Sequence, residues 1–275
     1  MELQAKLTEF RKQGLSIAAI SYDSPAVLND FASRRGITFP LLSDQGSNTI
    51  RAFGILNEEV PAGTPFAGIP HPGAYIVDPS GRVTAKYFEE DYTQRFTASD
   101  ILVRQFGAAA GSAHATTDTK HLRLSSSASA DRVRSGQRIA LTLDIDLKPE
   151  MHVYAPGVAG YIPIEWSMAP SEAILAHPVV TPPSKRLHLP AIDETVSVYG
   201  GQFRLVRDIT IAKDTKLKPL LDANGSLTIE GKFRYQACDN RMCYIPQEVP
   251  VKWTLHVDAH DRERVAPALQ KKLGK

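Results

Sequence analysis

The sequence predicts two domains, an α/β domain followed by an all-β sandwich. Three observations carry that prediction. The chain has 275 residues, and at about 150 residues per domain this length suggests about two. Up to residue 106, apolar residues fall in short runs and at helical spacings, punctuated by Gly and Pro. From about residue 121 they alternate one by one, the period of strands with a single buried face. The composition is that of a globular chain, 43% hydrophobic and 23% charged, which excludes wholesale disorder and collagen-like repeats. Lys+Arg is 32 against Asp+Glu 30, and the net charge of +2 points to no nucleic-acid partner. No stretch approaches the roughly 18–20 uninterrupted apolar residues of a membrane-crossing helix.

In the first half, Leu3, Leu7 and Phe10 fall on one face of a helix that Gly14 ends. The chain thus opens inside a helix with no preceding cap, which suggests a start within a longer sequence or a natural helical N-terminus. No basic segment followed by an apolar one is present, so no signal peptide is visible. LSIAAISYD reads as a strand buried on both faces of a parallel sheet. Ser24 and Pro25 then supply an N-cap and a first helical residue. Val27, Leu28 and Phe31 form that helix's stripe, and Gly36 stops it. ITFPLLSD is extended, Ser47 to Phe53 is a short helix, and a Gly/Pro-rich loop runs from Pro61 to Pro72. AYIV and RVTAKYF form a hairpin around Asp78-Pro79-Ser80-Gly81. Thr97 and Asp100 resemble a capping box for a last helix carrying Ile101, Leu102 and Phe106. The order is α-β-α-β-α-β-β-α over residues 1–106.

Residues 107–120 (GAAAGSAHATTDTK) show no periodicity and read as a linker. The sandwich is expected over residues 121–258. Its strands include Ile139, Leu141, Leu143, Ile145 and Leu147, then Leu227, Ile229, Phe233, Tyr235 and Ala237. A third set is Val249, Val251, Trp253, Leu255 and Val257. FRLVRDITIA at 203–212 is a further strand, and residues 259–275 form a polar tail.

The chain contains two cysteines, Cys238 and Cys243. That is too few for a disulfide scaffold or a cysteine-built zinc site. Extended, the five steps between them span roughly 16–17 Å, whereas a disulfide needs Cα atoms within roughly 4.4–6.8 Å. A bridge therefore requires the chain to double back, which the turn-forming Asp239-Asn240-Arg241 permits. So short a loop would stabilise the fold by only about 2 kcal/mol. A weak staple at a surface turn suits thiol–disulfide exchange. An inert local disulfide and two free thiols are equally open on spacing, and a metal site with His256 or His260 would still lack ligands. Arg241 either favours a thiolate electrostatically or is a solvated turn residue. The remaining histidines, His71, His152, His177 and His188, are scattered and read as surface or packing residues. No phosphate-binding glycine loop, dinucleotide fingerprint or serine-hydrolase elbow occurs. No cofactor and no metal are expected.

MHVYAP (151–156), VYGG (198–201) and FRYQACDNRMCYIPQEVPVKW (233–253) resemble the N-terminal periplasmic domain of the thiol:disulfide interchange protein DsbD. The resemblance spans roughly residues 120–258 and implies an immunoglobulin-like fold. It also implies a cysteine pair that accepts electrons from a thioredoxin-like partner and passes them to protein disulfides. Cys243 would then be the nucleophile and Cys238 the resolving residue. Tyr154 would line the site, as would Tyr244 next to Cys243, and a shielding loop would fall at Val198-Tyr199-Gly200. The family's cysteine spacing is one residue longer, and its shielding loop carries Phe where Val198 stands. A periplasmic or extracytoplasmic setting follows from the same resemblance.

GLSIAAISYDSPAVLNDFASRRGITFPLLSD and HPGAYIVDPSGRV resemble the later part of a thioredoxin-fold redoxin of the alkyl hydroperoxide reductase/thiol-specific antioxidant (AhpC/TSA) type. The first half would then be a truncated thioredoxin-like domain lacking its first strand and reactive cysteine. Residues 1–237 hold no cysteine. Pro72 would occupy the fold's cis-proline position. The sequence thus points to a thiol–disulfide oxidoreductase acting through Cys238 and Cys243. The alternatives are a non-catalytic interaction module braced by a disulfide, or a peroxiredoxin whose reactive cysteine lies upstream.

Overall fold

A computed structural model describes residues 2–89, 91, 93–108, 111, 113–189, 193–261 and 263–270. The chain divides into two compact units, Met1–Leu102 with His260–Lys275, and Val103–Ala259.

Over residues 1–106 the predicted elements are present, with one further short strand, Arg95–Phe96, before the last helix Ala98–Phe106. Glu2–Ala5 and Leu7–Lys12 form the opening helical segments, with Leu7 and Phe10 buried. The helix Pro25–Arg35 starts where the sequence places it, because the Ser24 hydroxyl accepts a hydrogen bond from the Val27 N–H. It ends at Gly36, whose φ of 60° suits a residue without a side chain. The hairpin Gly73–Val77 with Val83–Phe88 is turned by Asp78. Its carboxylate accepts from the Ser80 and Arg82 backbones and the Ser80 hydroxyl.

The first strand departs from expectation. Ala19–Ser21 pairs in parallel with Leu41–Ser43, but these form a two-stranded sheet, and the hairpin forms another. Two strands cannot cover both of their faces, so Ile20 is 38% and Leu42 50% exposed instead of buried. The His71–Pro72 bond is trans, as no peptide among the described residues is cis. This corrects the expected cis-proline. Trans is the form an X–Pro bond takes, by roughly 0.5–1 kcal/mol, unless packing overrides it. The polar segment after residue 259 belongs to the first unit. Arg34 and Arg35 pair with Glu263, and Arg35 also with Asp261.

The second unit is strand-rich. One sheet runs in the order Ile174–Val180, Gln202–Ile211, Gln137–Leu147, Leu122–Ala128, Ala113–Asp118, all antiparallel. A second has Glu165–Met168, Ser226–Tyr235, Gln247–Val257 and the short Arg132–Val133. The alternating residues of the long strands converge on one core, where Phe233, Tyr235, Trp253 and Leu255 are fully buried. Gly231 sits within that alternation because the Ser167 carbonyl oxygen approaches to 2.5 Å of where a Cβ would stand.

Ala113–Asp118 corrects the linker expected over 107–120. It is an edge strand, so it gains backbone pairing with Leu122–Ala128 without needing an apolar alternation of its own. A third sheet, in the order Lys185–Leu189, Glu194–Gly200, His152–Tyr154, Ala237–Cys238, is entirely antiparallel. One of its faces, through Val153, Tyr199 and Ala237, joins the main core. Its other face carries Leu187, Leu189, Val196, Val198, Tyr154 and Cys238.

Candidate functional site

The site is built on that other face. Ala237–Cys238 ends the third sheet, and the chain then reverses through Asp239-Asn240-Arg241-Met242 to Cys243. Two backbone hydrogen bonds close the reversal, from Asp239 N–H to the Met242 carbonyl and from Tyr244 N–H to the Ala237 carbonyl, at 3.0 and 2.8 Å. The Asp239 carboxylate holds the inside of the turn. One oxygen accepts from the Arg241 and Met242 N–H groups at 2.7 and 2.9 Å, and the other from the Tyr244 hydroxyl at 2.8 Å. With the chain folded back, the Cα atoms of Cys238 and Cys243 are 4.0 Å apart and the sulfurs are bonded at 2.03 Å. Of the open alternatives, the local disulfide is the one present.

The two sulfurs meet different surroundings. Cys238 is 1% exposed, inside the cluster of Tyr154, Val196 and Val198. Cys243 is exposed, and is flanked by Met242 at 57% and Ile245 at 84% exposure. Tyr154 is buried over the pair, its hydroxyl 3.6 Å from Cys243 Sγ and 3.7 Å from Cys238 Sγ. Bonded to each other, the sulfurs have no proton, so the hydroxyl is the donor. Burial first, and then the Glu194 charge, push the Tyr154 phenol above its ordinary range, keeping it protonated. Tyr161 lies against the Tyr154 ring at 4.3 Å and donates to Glu194 Oε2 at 2.6 Å. That hydrogen bond pushes the Tyr161 pKa up to about 12. His152 packs edge-on against Tyr154, at 5.8 Å.

The other residues singled out from sequence separate. Val198 is the cross-strand partner of Tyr154 and shares its cluster with Cys238. Gly200 stands opposite His152 on the same strand pair. Tyr199 points the other way. Strand alternation places it in the main core, stacked on Phe203 at 4.7 Å, its hydroxyl donating to the Pro182 carbonyl. Tyr199 therefore does not line the disulfide. Arg241 is exposed and braces the turn through its backbone N–H. Tyr244 is half-buried, anchored to Asp239 and laid against His121 at 4.5 Å, with the Lys120 ammonium 5.3 Å from its ring centre. Pro72 belongs to the first unit. Sequence reasoning did not single out Asp239, Tyr161, Glu194 or His152 for the site. Asp239 was legible as an Asx-turn residue, whereas His152 reaches Cys238 by pairing across strands, and Tyr161 and Glu194 reach the site through side-chain contacts with Tyr154 and with each other.

The Asp239 hydrogen bonds, first from the Met242 N–H and then from the Tyr244 hydroxyl, hold its carboxyl at about 2. A carboxyl depressed in the folded state contributes stability that is complete above its unfolded value of about 3.9 and lost as pH falls through the folded value. The turn is therefore expected to stay closed at about pH 4 and to loosen towards about pH 2. Phosphine reduction of the disulfide, which does not need a thiolate reagent, should accelerate over that interval. It should accelerate already near neutrality in Asp239→Asn.

The site thus defines a domain class, a strand-rich unit carrying a disulfide with one sulfur exposed and the other buried. Residues 122–254 match the family model described as thiol:disulfide interchange protein DsbD, N-terminal, and residues 1–86 match that of the AhpC/TSA family. Among curated relatives, peroxiredoxin Bcp of Xanthomonas campestris is 32% identical over 83 residues, covering 30% of this chain and 51% of its own. Peroxiredoxin Bcp of Escherichia coli is 31% identical over 81 residues, with 30% and 51% covered. Alkyl hydroperoxide reductase E of Mycobacterium bovis is 35% identical over 82 residues, with 29% and 49% covered. The chain spans about half the length of these relatives.

Two solved structures are also similar. The N-terminal periplasmic domain of ScsB from Proteus mirabilis has a TM-score of 0.34 and 14% identity, with 50% of this chain and 48% of that one covered. The reduced DsbD N-terminal domain of Neisseria meningitidis has a TM-score of 0.29 and 10% identity, with 42% and 82% covered. No helix among the described residues is long and apolar enough to cross a membrane.

Proposed function

We propose that this protein carries out thiol–disulfide exchange through Cys238 and Cys243, outside the cytoplasm, with a thioredoxin-like dithiol protein on one side and protein disulfides on the other. The observation that carries this reading is the asymmetric exposure of the disulfide, Cys238 at 1% and Cys243 open to solvent. A partner thiolate attacks Cys243, the exposed one of the two cysteines. Attack forms a mixed disulfide on Cys243, and the electron pair of the broken bond leaves on Cys238 Sγ, next to the Tyr154 hydroxyl that can donate to it. The partner's second thiol then releases Cys243, leaving both cysteines reduced and the partner oxidised. In the opposite half-cycle the Cys243 thiolate attacks a substrate disulfide and Cys238 resolves the product.

The exposed Met242 and Ile245 give a docking protein an apolar rim around Cys243. Family resemblance supports the partner class and the periplasmic setting. The redoxin-like first unit supplies no cysteine, so its part in this reading is to present a surface rather than to move electrons. The test is the reduction potential of the couple in glutathione buffers. A value above about −300 mV, exchangeable with cellular dithiols, is expected, and one well below it would identify an inert structural bridge.

A further inference from the structure

We propose that His152 is the proton acceptor for the Cys238 thiol when that sulfur attacks a mixed disulfide held on Cys243. The proposal rests on the exchange reading above and adds a group that neither the cysteines nor Tyr154 provides. When Cys238 resolves, its thiol must lose a proton inside an apolar cluster, where water has little access. A thiol in such surroundings is a poor nucleophile until a base takes that proton.

His152 is placed to do this. It is the direct cross-strand partner of Cys238, so the two side chains leave the same face of the sheet with Cβ atoms roughly 4.5–5.5 Å apart. His152 is 7% exposed, and its buried Nε2 has no hydrogen-bond partner among the described residues. Burying an imidazole nitrogen unpaired is costly, and sites of function are where that cost is tolerated. The groups facing it are Cys238 from the paired strand, Asp239 from the turn and Tyr154 from its own strand, while on the neighbouring strand Gly200 stands opposite. Burial pushes the imidazole below its ordinary range, opposed by the Asp239 charge, so it is neutral near pH 7 and has a ring nitrogen open to a proton.

The step balances. The Cys238 thiol proton passes to His152 Nε2 and the thiolate attacks Cys243 Sγ. The Cys238–Cys243 bond forms, the mixed disulfide breaks, and the substrate sulfur leaves as a thiolate. The imidazolium then returns its proton to solvent.

The test follows the reduced full chain mixed with an equimolar amount of 5,5′-dithiobis(2-nitrobenzoate). A first release of thionitrobenzoate reports attack by Cys243, and a second reports resolution by Cys238. In the unmodified protein the second release should change by less than about threefold between about pH 6.5 and 8.5, because the base is already neutral. Without a base it should rise roughly tenfold per pH unit up to the thiol's own pKa, about 8.5 or above. In His152→Gln the second release should slow at least about tenfold at pH 7 and regain that steep rise, with the first changing less than about twofold. A steep profile in the unmodified protein, or a second release unchanged in His152→Gln, would overturn the assignment. Should the variant fail to fold, the unmodified profile decides alone. Absence of the first release would instead defeat the exchange reading itself, and this proposal with it.

Discussion

A Cys238→Ser variant is expected to accumulate a stable mixed disulfide through Cys243 with a thioredoxin-like dithiol partner or a protein disulfide, while Cys243→Ser accumulates none. The asymmetry follows from exposure. Removing Cys238 leaves the reachable sulfur able to attack but without a resolving thiol, so the intermediate persists. Removing Cys243 leaves a single sulfur at 1% exposure beneath Tyr154, which a protein partner cannot approach. The contrast should be close to all-or-none in non-reducing gels of acid-quenched samples. Equal trapping by both variants would mean that the buried sulfur is reachable. Trapping by neither would leave the disulfide as a brace for an interaction module.

Trp253→Ala is expected to destabilise the second unit by about 3–5 kcal/mol, the usual cost of truncating a large buried aromatic. Trp253 is fully buried and stacks on Trp166 at 5.6 Å, and its indole N–H donates to the Ser127 carbonyl at 2.8 Å. Truncation thus opens a cavity and strands a buried acceptor, which adds to the loss. The chain has two tryptophans, Trp166 and Trp253, both in this unit, so the fluorescence of the remaining Trp166 reports its unfolding alone. With a urea slope of about 1–3 kcal/mol per molar, the midpoint should fall by at least about 1 M. A fall below about 0.3 M would mean that the core does not depend on this side chain.

Much of this architecture was legible in the sequence because period-two alternation is a local signal. Leu141, Ile229 and Trp253 each announce a buried face from their own neighbours, and all three are buried. Ser24-Pro25 and Gly36 likewise mark a helix by chemistry confined to a few residues. The cysteine turn was legible for the same reason, since Asp239-Asn240-Arg241 permits the reversal that brings Cys238 to Cys243.

What escaped depends on register between distant strands. Nothing near His152 says that it stands across from Cys238, and nothing in Tyr199 says that it belongs to the core, because a shift of one residue exchanges the two faces. Tyr161 and Glu194 lie 33 positions apart and meet through a hydrogen bond that no local pattern encodes. The strand Ala113–Asp118 escaped because an edge strand needs no hydrophobic alternation to pair. The exposed Ile20 and Leu42 departed from expectation because an apolar run reveals its own hydrophobicity and not how many neighbours its sheet has.

The third sheet places reactivity and foldability on opposite sides of the same few residues. Val153 and Ala237 point into the core, while His152, Tyr154 and Cys238 point into the site. Substitutions on these strands should therefore sort by parity of position. Changes at 152, 154, 196 and 198 should bear on the surroundings of the disulfide and also on the small buried cluster that three of these residues form. Changes at 153, 199 and 237 should act on the main core and leave the surroundings of the disulfide as they are. On the exchange reading proposed above, a lineage could alter partner choice at every second residue while leaving the main core, on the opposite face, unchanged.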